Sequence, residues 1–133
     1  IKNTQDVEVT ALINEFIQVL INIINNSLDA FEEHNLEKKF IFIDLYKDNN
    51  SLILKIKDNA GGIKEELLNR IFEPYFTTKH KSQGTGIGLY MTKQIITGSF
   101  KARIEAENRE FEYKEKPQKG ALFRIEFKLV WAV

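Results

Sequence analysis

Asn22 and Asn26 stand four residues apart in a stretch free of glycine and proline, so on a helix they lie one turn apart on one face. Carboxamide oxygens are hard donors and suit a cation such as Mg²⁺ shared with phosphate oxygens; the alternative is a solvated polar stripe. Asp58 follows Leu52, Leu54 and Ile56 at strand spacing, which aims its carboxylate at the same face as those apolar residues. A carboxylate turned inward needs backbone N–H groups, water or a ligand donor such as an exocyclic amine, unless it only caps the turn at Ala60, Gly61 and Gly62. The run Gly84, Thr85, Gly86, Ile87, Gly88, Leu89 opens an apolar helix. Free N–H groups and the helix dipole there favour an anion, and glycine lets a phosphate approach the backbone; a hinge that caps a helix would look the same. The run lacks the Gly-Lys-Ser/Thr of a P-loop, and no strand leads into it as in a Rossmann turn. His34 and His80, the only histidines, sit in polar settings expected at the surface, and no nucleophilic triad or metal cluster can be assembled.

Several elements must position these groups. Residues 14–33 read as a long helix with Gln18, Asn22, Asn26, Asp29 and Glu33 in a narrow polar stripe. Ile17, Leu20, Ile21, Ile24, Leu28 and Phe31 are expected opposite, with Val19, Ile23 and Ala30 on the flank, wrapped by core over most of the girth. Residues 40–46 and 52–58 read as a hairpin joined through Lys47, Asp48, Asn49, Asn50 and Ser51. Residues 64–71 look like a short helix that must end before Pro74, and 75–86 like a polar lid leading into a helix over 87–96. Strands are expected at 101–107 and 122–130, the latter alternating Phe123, Ile125, Phe127 and Leu129 with Arg124, Glu126 and Lys128. The charged segment 108–119, which contains Pro117, is expected to be an exposed excursion. One apolar and one charged sheet face imply a two-layer α/β sandwich with helices on one face of the sheet.

The 133 residues suffice for one domain, 1–133, and the start at Ile1 suggests a fragment of a longer chain. Nineteen acidic and nineteen basic side chains cancel, which argues against a general nucleic-acid or anionic-membrane binder. With no cysteine there are no disulfides or thiolate metal sites, and no apolar run approaches the roughly 20 residues of a membrane helix. Cytoplasm is the expected location.

Taken in order, the asparagine helix, DNAGGI at 58–63, IFEPYFTTK at 71–79, GTGIGL at 84–89 and GALF at 120–123 resemble the ATPase domain shared by histidine kinases, gyrases, Hsp90 chaperones and mismatch-repair ATPases. The likeness runs over 14–127, and IFEPYFTTK with GTGIGLYMTKQI resembles the sensor histidine kinase branch. It implies the Bergerat-type ATP-binding fold: an α+β sandwich of a mixed, mostly antiparallel sheet with helices on one face. It implies Mg²⁺ on Asn26 with Asn22 nearer the phosphates, and Asp58 accepting from the adenine amino group beside Gly62 and Ile63. It also implies an F box over 71–76, including Phe76, and a triphosphate cradle of Gly84, Thr85, Gly86, Ile87, Gly88 and Leu89. Thr78 and Lys79 would begin the lid, Lys79 reaching a phosphate, and a last glycine box over 120–123 would support the pocket.

Three positions depart from the wider family pattern, and the last, Asn22, discriminates function. The usual first glycine after Asp58 is Ala60, and Asp29 replaces a basic residue common three positions after the metal-binding asparagine. Hydrolysing branches carry a glutamate one turn before that asparagine to activate water, whereas this chain has Asn22, which cannot act as a general base. The resemblance therefore implies the catalytic domain of a protein-histidine kinase, holding Mg-ATP and presenting its γ-phosphate to an imidazole. That histidine would lie on the kinase's own helical-hairpin dimerisation domain, with a response regulator downstream and no direct membrane contact by this domain, the cytoplasmic part of a sensor. No histidine here sits in a setting like the phosphoacceptor motif, so the domain alone is expected to bind ATP without phosphorylating itself. The rival readings are a stand-alone ATPase and a degenerate nucleotide-binding regulatory module.

Overall fold

The computed structural model describes residues 4–76 and 86–129, with side chains from Leu12 onward. Helix α1 spans Thr4–His34, longer than the 20 residues expected, because nothing in that span breaks a helix. It ends where Asn35 turns left-handed at φ 46° and donates its N–H to the Phe31 carbonyl, as asparagine does at a helix C-terminus. Strands β1 (Ile41–Asp48) and β2 (Ser51–Asp58) form the first hairpin, and Asn49 takes the positive φ that its tight turn requires. A 3-10 turn at Glu65–Leu67, continued by irregular turns, replaces the short helix expected over 64–71. The approach of Pro74 leaves too few residues for a helix to propagate. Helix α2 covers Gly88–Gly98, and strands β3 (Arg103–Tyr113) and β4 (Lys116–Lys128) complete the fold.

The four strands pair antiparallel throughout in the order β1-β2-β4-β3. The segment 108–119 is therefore no excursion. It continues β3 and β4 in register from Asn108↔Ala121 to Tyr113↔Lys116, and Lys114 and Glu115 turn with φ of 51° and 65°. Two successive left-handed residues are the signature of the hairpin turn that matches strand twist, which charge content alone does not reveal. Pro117 is tolerated because β2 stops pairing with β4 at Lys57↔Leu122, so this part of β4 has a strand on one side only.

Both helices lie on one face of the sheet, as expected for the two-layer sandwich. Val19 and Ile23 from α1 and Ile96 from α2 meet Leu54, Ile56, Phe123 and Ile125 in the core. The buried row of α1 runs Val19, Ile23, Ser27, Phe31, one residue per turn. Ile17, Ile21 and Leu28, expected in the core, are instead 45–49 % exposed. The sheet covers one side of this helix and α2 another, and its outer side remains uncovered. The far face of the sheet also differs from the charged surface expected. Arg124, Glu126 and Lys128 do alternate onto it, but so do Ile53 and Leu122, both buried. Phe42, Phe111 and Tyr113 gather there, with the Lys57 ammonium 3.9 Å from the centre of the Phe111 ring. Among the described residues no helix is long and apolar enough to cross a membrane.

Candidate functional site

The polar side of α1, the turn after β2 and the start of α2 enclose a cavity of about 500 Å³. That size suits a small molecule rather than a polymer. Of the residues singled out from sequence, Asn22, Asn26, Gly62, Ile63, Phe76, Gly86, Gly88 and Leu89 line it. Ile87 is the N-cap of α2 and makes no side-chain bond to the first-turn N–H groups, and the first turn carries no acidic residue. An anion could take those donors. Thr78, Lys79, Gly84 and Thr85 lie outside the described residues.

Asp58 is 2 % exposed and sits behind the cavity wall. Its Oδ1 accepts from the N–H groups of Ala60 at 3.0 Å and Ala121 at 3.1 Å, and its Oδ2 accepts from the Ser27 hydroxyl at 2.6 Å. Backbone donors and a hydroxyl thus answer the cost of burying the carboxylate. Two donors fill Oδ1, whereas Oδ2 has room for one more. The carboxylate joins α1, the glycine turn and β4 at one point. Ser27→Ala should therefore cost about 1–2 kcal/mol in urea unfolding, because it strips a buried carboxylate oxygen of its protein donor; an unchanged midpoint would show that the bond carries no stability.

Around this point the chain approaches itself closely. Gly61 and Gly62 adopt φ of +96° and +85°, so the turn's left-handed positions fall on glycines and Ala60 takes no freedom from it. Gly86 has φ +74°, and a Cβ there would lie 2.5 Å from the carbonyl carbon of Tyr75. Its own carbonyl accepts from the Tyr75 N–H at 2.9 Å, fastening the F-box segment to the entry of α2. Gly88 differs, since a Cβ there would meet Asn22 at an ordinary 3.9 Å.

Asn22 and Asn26 share the cavity wall but not their state. The Asn22 amide donates to the Gly88 carbonyl at 3.1 Å and to Thr92 Oγ1 at 3.2 Å, and its oxygen accepts from Gln18 at 2.8 Å. It locks α1 to the first turn of α2. No such bond restrains the Asn26 carboxamide among the described residues, so its oxygen is available to a cation.

Comparison with known proteins places this geometry. The model of the family described as Histidine kinase-, DNA gyrase B-, and HSP90-like ATPase matches residues 12–130. The chain belongs to this ATPase family. Sporulation kinase A of Bacillus subtilis is 35 % identical over 114 residues, covering 86 % of this chain and 16 % of that protein. Sensor protein kinase PilS of Pseudomonas aeruginosa is 32 % identical over 111 residues, covering 83 % and 19 %. The chain thus spans under a fifth of the length of these relatives. Among solved structures, the catalytic domain of histidine kinase ThkA superposes with a TM-score of 0.65 at 30 % identity, over 86 % of this chain and 66 % of that one. The family match supports ATP as the ligand of this domain, and the α/β sandwich is that of the kinase catalytic domains.

Sequence reasoning missed several residues of this ATPase-family site. Ala30 and His34 line the cavity on the same helical row as Asn26, and the His34 ring lies 3.2 Å from where a Cβ of Gly61 would be. Spacing of four was the available signal; His34 is exposed, as its polar setting implied, and also borders the cavity. Ser27 interrupts an otherwise apolar buried row, which marks it for a polar partner. Asn108 follows Ile104 and Ala106 at strand spacing, so the argument that turned Asp58 inward applied to it too.

Proposed function

We propose that this domain binds Mg-ATP and presents the γ-phosphate to a histidine on a separate dimerisation domain of the same kinase, for relay to a response regulator. The observation that carries this reading is Asn22. It stands one turn before Asn26, where a hydrolysing site needs a base, and it is a carboxamide already bonded to Gly88, Thr92 and Gln18. The acidic residues of α1 that line the cavity begin at Asp29, about 10 Å further along the axis toward the Gly62 wall. Phosphoryl transfer then rests on positioning and charge neutralisation.

Mg²⁺ fits the donor set at this end of the cavity: the unrestrained Asn26 oxygen is a hard neutral ligand and leaves most of the coordination to phosphate and water. When bound, the ion neutralises phosphate charge. The N–H groups at the start of α2 would hold phosphate oxygens, Asn22 keeps that helix start in register with Asn26, and Oδ2 of Asp58 would accept from the base.

Asn26→Ala should weaken Mg²⁺-dependent binding of a non-hydrolysable ATP analogue by at least about tenfold, read by calorimetry, with little change in melting temperature because the side chain bonds to none of the described residues. Equal affinity in the variant would remove Asn26 from the metal site. The function itself is tested by mixing the domain with ATP, Mg²⁺ and a histidine-bearing dimerisation domain. Acid-labile phosphate should form on the partner and none on His34 or His80. Steady phosphate release by the domain alone, abolished by Asn26→Ala, would establish an ATPase instead.

A further inference from the structure

The wall of the cavity at Gly62 and Ile63 lies against β3 and β4, yet neither the N–H nor the carbonyl of Ile63 has a backbone partner among the described residues. Both go to one side chain. Asn108 Oδ1 accepts from the Ile63 N–H at 2.7 Å, and Asn108 Nδ2 donates to the Ile63 carbonyl and to Glu65 Oε1 at 3.1 Å. A primary carboxamide carries acceptor and donor side by side, so it imitates a paired strand at a single residue. The fit is close, since a Cβ at Gly62 would lie 2.7 Å from Asn108 Oδ1. Asn108 itself is fixed in the β3–β4 ladder opposite Ala121, whose N–H binds Asp58. One pair of strand residues therefore sets both the buried carboxylate and the loop in front of it.

We propose that Asn108 is a positioning residue for the nucleotide: it holds the Gly62–Ile63 wall at a fixed distance from Asp58 and thereby sets ATP affinity without touching ATP. This rests on the ATP-binding reading above. Asparagine is specific to the task. Aspartate keeps the acceptor but turns a like charge toward the Ile63 carbonyl and Glu65, alanine removes both groups, and glutamine is one methylene too long for a side chain already in contact. An untethered wall samples more conformations, and binding must then bear the ordering of the loop.

The test compares the domain with Asn108→Asp and Asn108→Ala, reading analogue affinity with Mg²⁺ by calorimetry, melting temperature without nucleotide, and hydrogen exchange at the Ile63 amide. Both variants should bind about tenfold more weakly, exchange the Ile63 amide about tenfold faster, and keep a nucleotide-free melting transition close to that of the parent. Variant affinity within twofold of a parent that binds would overturn the role of Asn108 while leaving ATP binding intact. Weakened binding with an unchanged Ile63 exchange rate would overturn it as well, as would a loss of affinity matched by unfolding in both variants. A parent that takes up no analogue would overturn the ATP reading and this one with it.

Discussion

Gly120→Ala should destabilise the domain by about 3 kcal/mol or more and abolish ATP-analogue binding at any concentration where the parent is half saturated. A Cβ at Gly120 would lie 1.7 Å from the carbonyl oxygen of Asp58, 2.4 Å from its carbonyl carbon and 2.7 Å from its Oδ1. Backbone conformation is not the reason for glycine here, as Gly120 is not among the residues with positive φ. Space is the reason. The obstacle is main chain at the end of β2, tied on either side by the β2–β4 ladder and by the bond from the Gly61 N–H to the Lys119 carbonyl. Relief would require β2 and β4 to separate where Asp58 accepts from Ala121. For a domain of ordinary stability, about 5–15 kcal/mol, this is a large fraction. Urea unfolding checks it against Gly98→Ala, where a Cβ meets nothing within 4 Å and the effect should stay within about 1 kcal/mol. A midpoint for Gly120→Ala as mild as that control would mean that the strands part easily and that the close approach is not needed.

Two substitutions at Asp58 should separate its structural duty from its ligand duty. Asp58→Ala leaves the Ala60 and Ala121 N–H groups and the Ser27 hydroxyl without their acceptor in a site 2 % exposed, at a cost of about 3–5 kcal/mol. Asp58→Asn is isosteric. Its carbonyl can keep the two N–H donors of Oδ1, and its amide can donate to Ser27, whose hydroxyl reverses its role. Stability should fall by only about 1 kcal/mol, since neutral bonds replace charge-assisted ones. The amide nitrogen then stands where Oδ2 had its spare lone pair, so a base amino group meets a donor rather than an acceptor. Analogue affinity should drop roughly 10- to 100-fold at nearly unchanged fold stability. Parental affinity in Asp58→Asn would show that the carboxylate serves the fold alone.

Much of this site was legible because its signals are local and periodic. Spacing of four put Asn22 and Asn26 on one helix face, spacing of two turned Asp58 inward, and glycines before an apolar run marked the entry to α2. The structure keeps all three, with Asn26 at the cavity and Asp58 buried. What failed was reasoning from composition. The charges of 108–119 hid a hairpin, because strands paired on one side carry charges as readily as loops do. The side of α1 opposite its polar stripe is expected in the core, yet Ile17, Ile21 and Leu28 there are exposed while Val19 and Ile23 on the flank are buried, because hydrophobicity does not say which sides of a helix have neighbours.

The sequence by itself determined the residue types and their order: two carboxamides one turn apart, an inward carboxylate, three glycine runs, and no base where a hydrolysing site needs one. Only the tertiary structure decided what each group is committed to. Asn22 is bound to α2 while Asn26 is unrestrained among the described residues, Ser27 and Ala121 complete the shell of Asp58, Gly120 is required by a neighbouring carbonyl, and Asn108 holds the wall at Ile63. These partners are 31 to 70 residues apart in the chain. Periodicity reports the direction in which a side chain leaves its own helix or strand, and the packing of distant segments determines what it meets there.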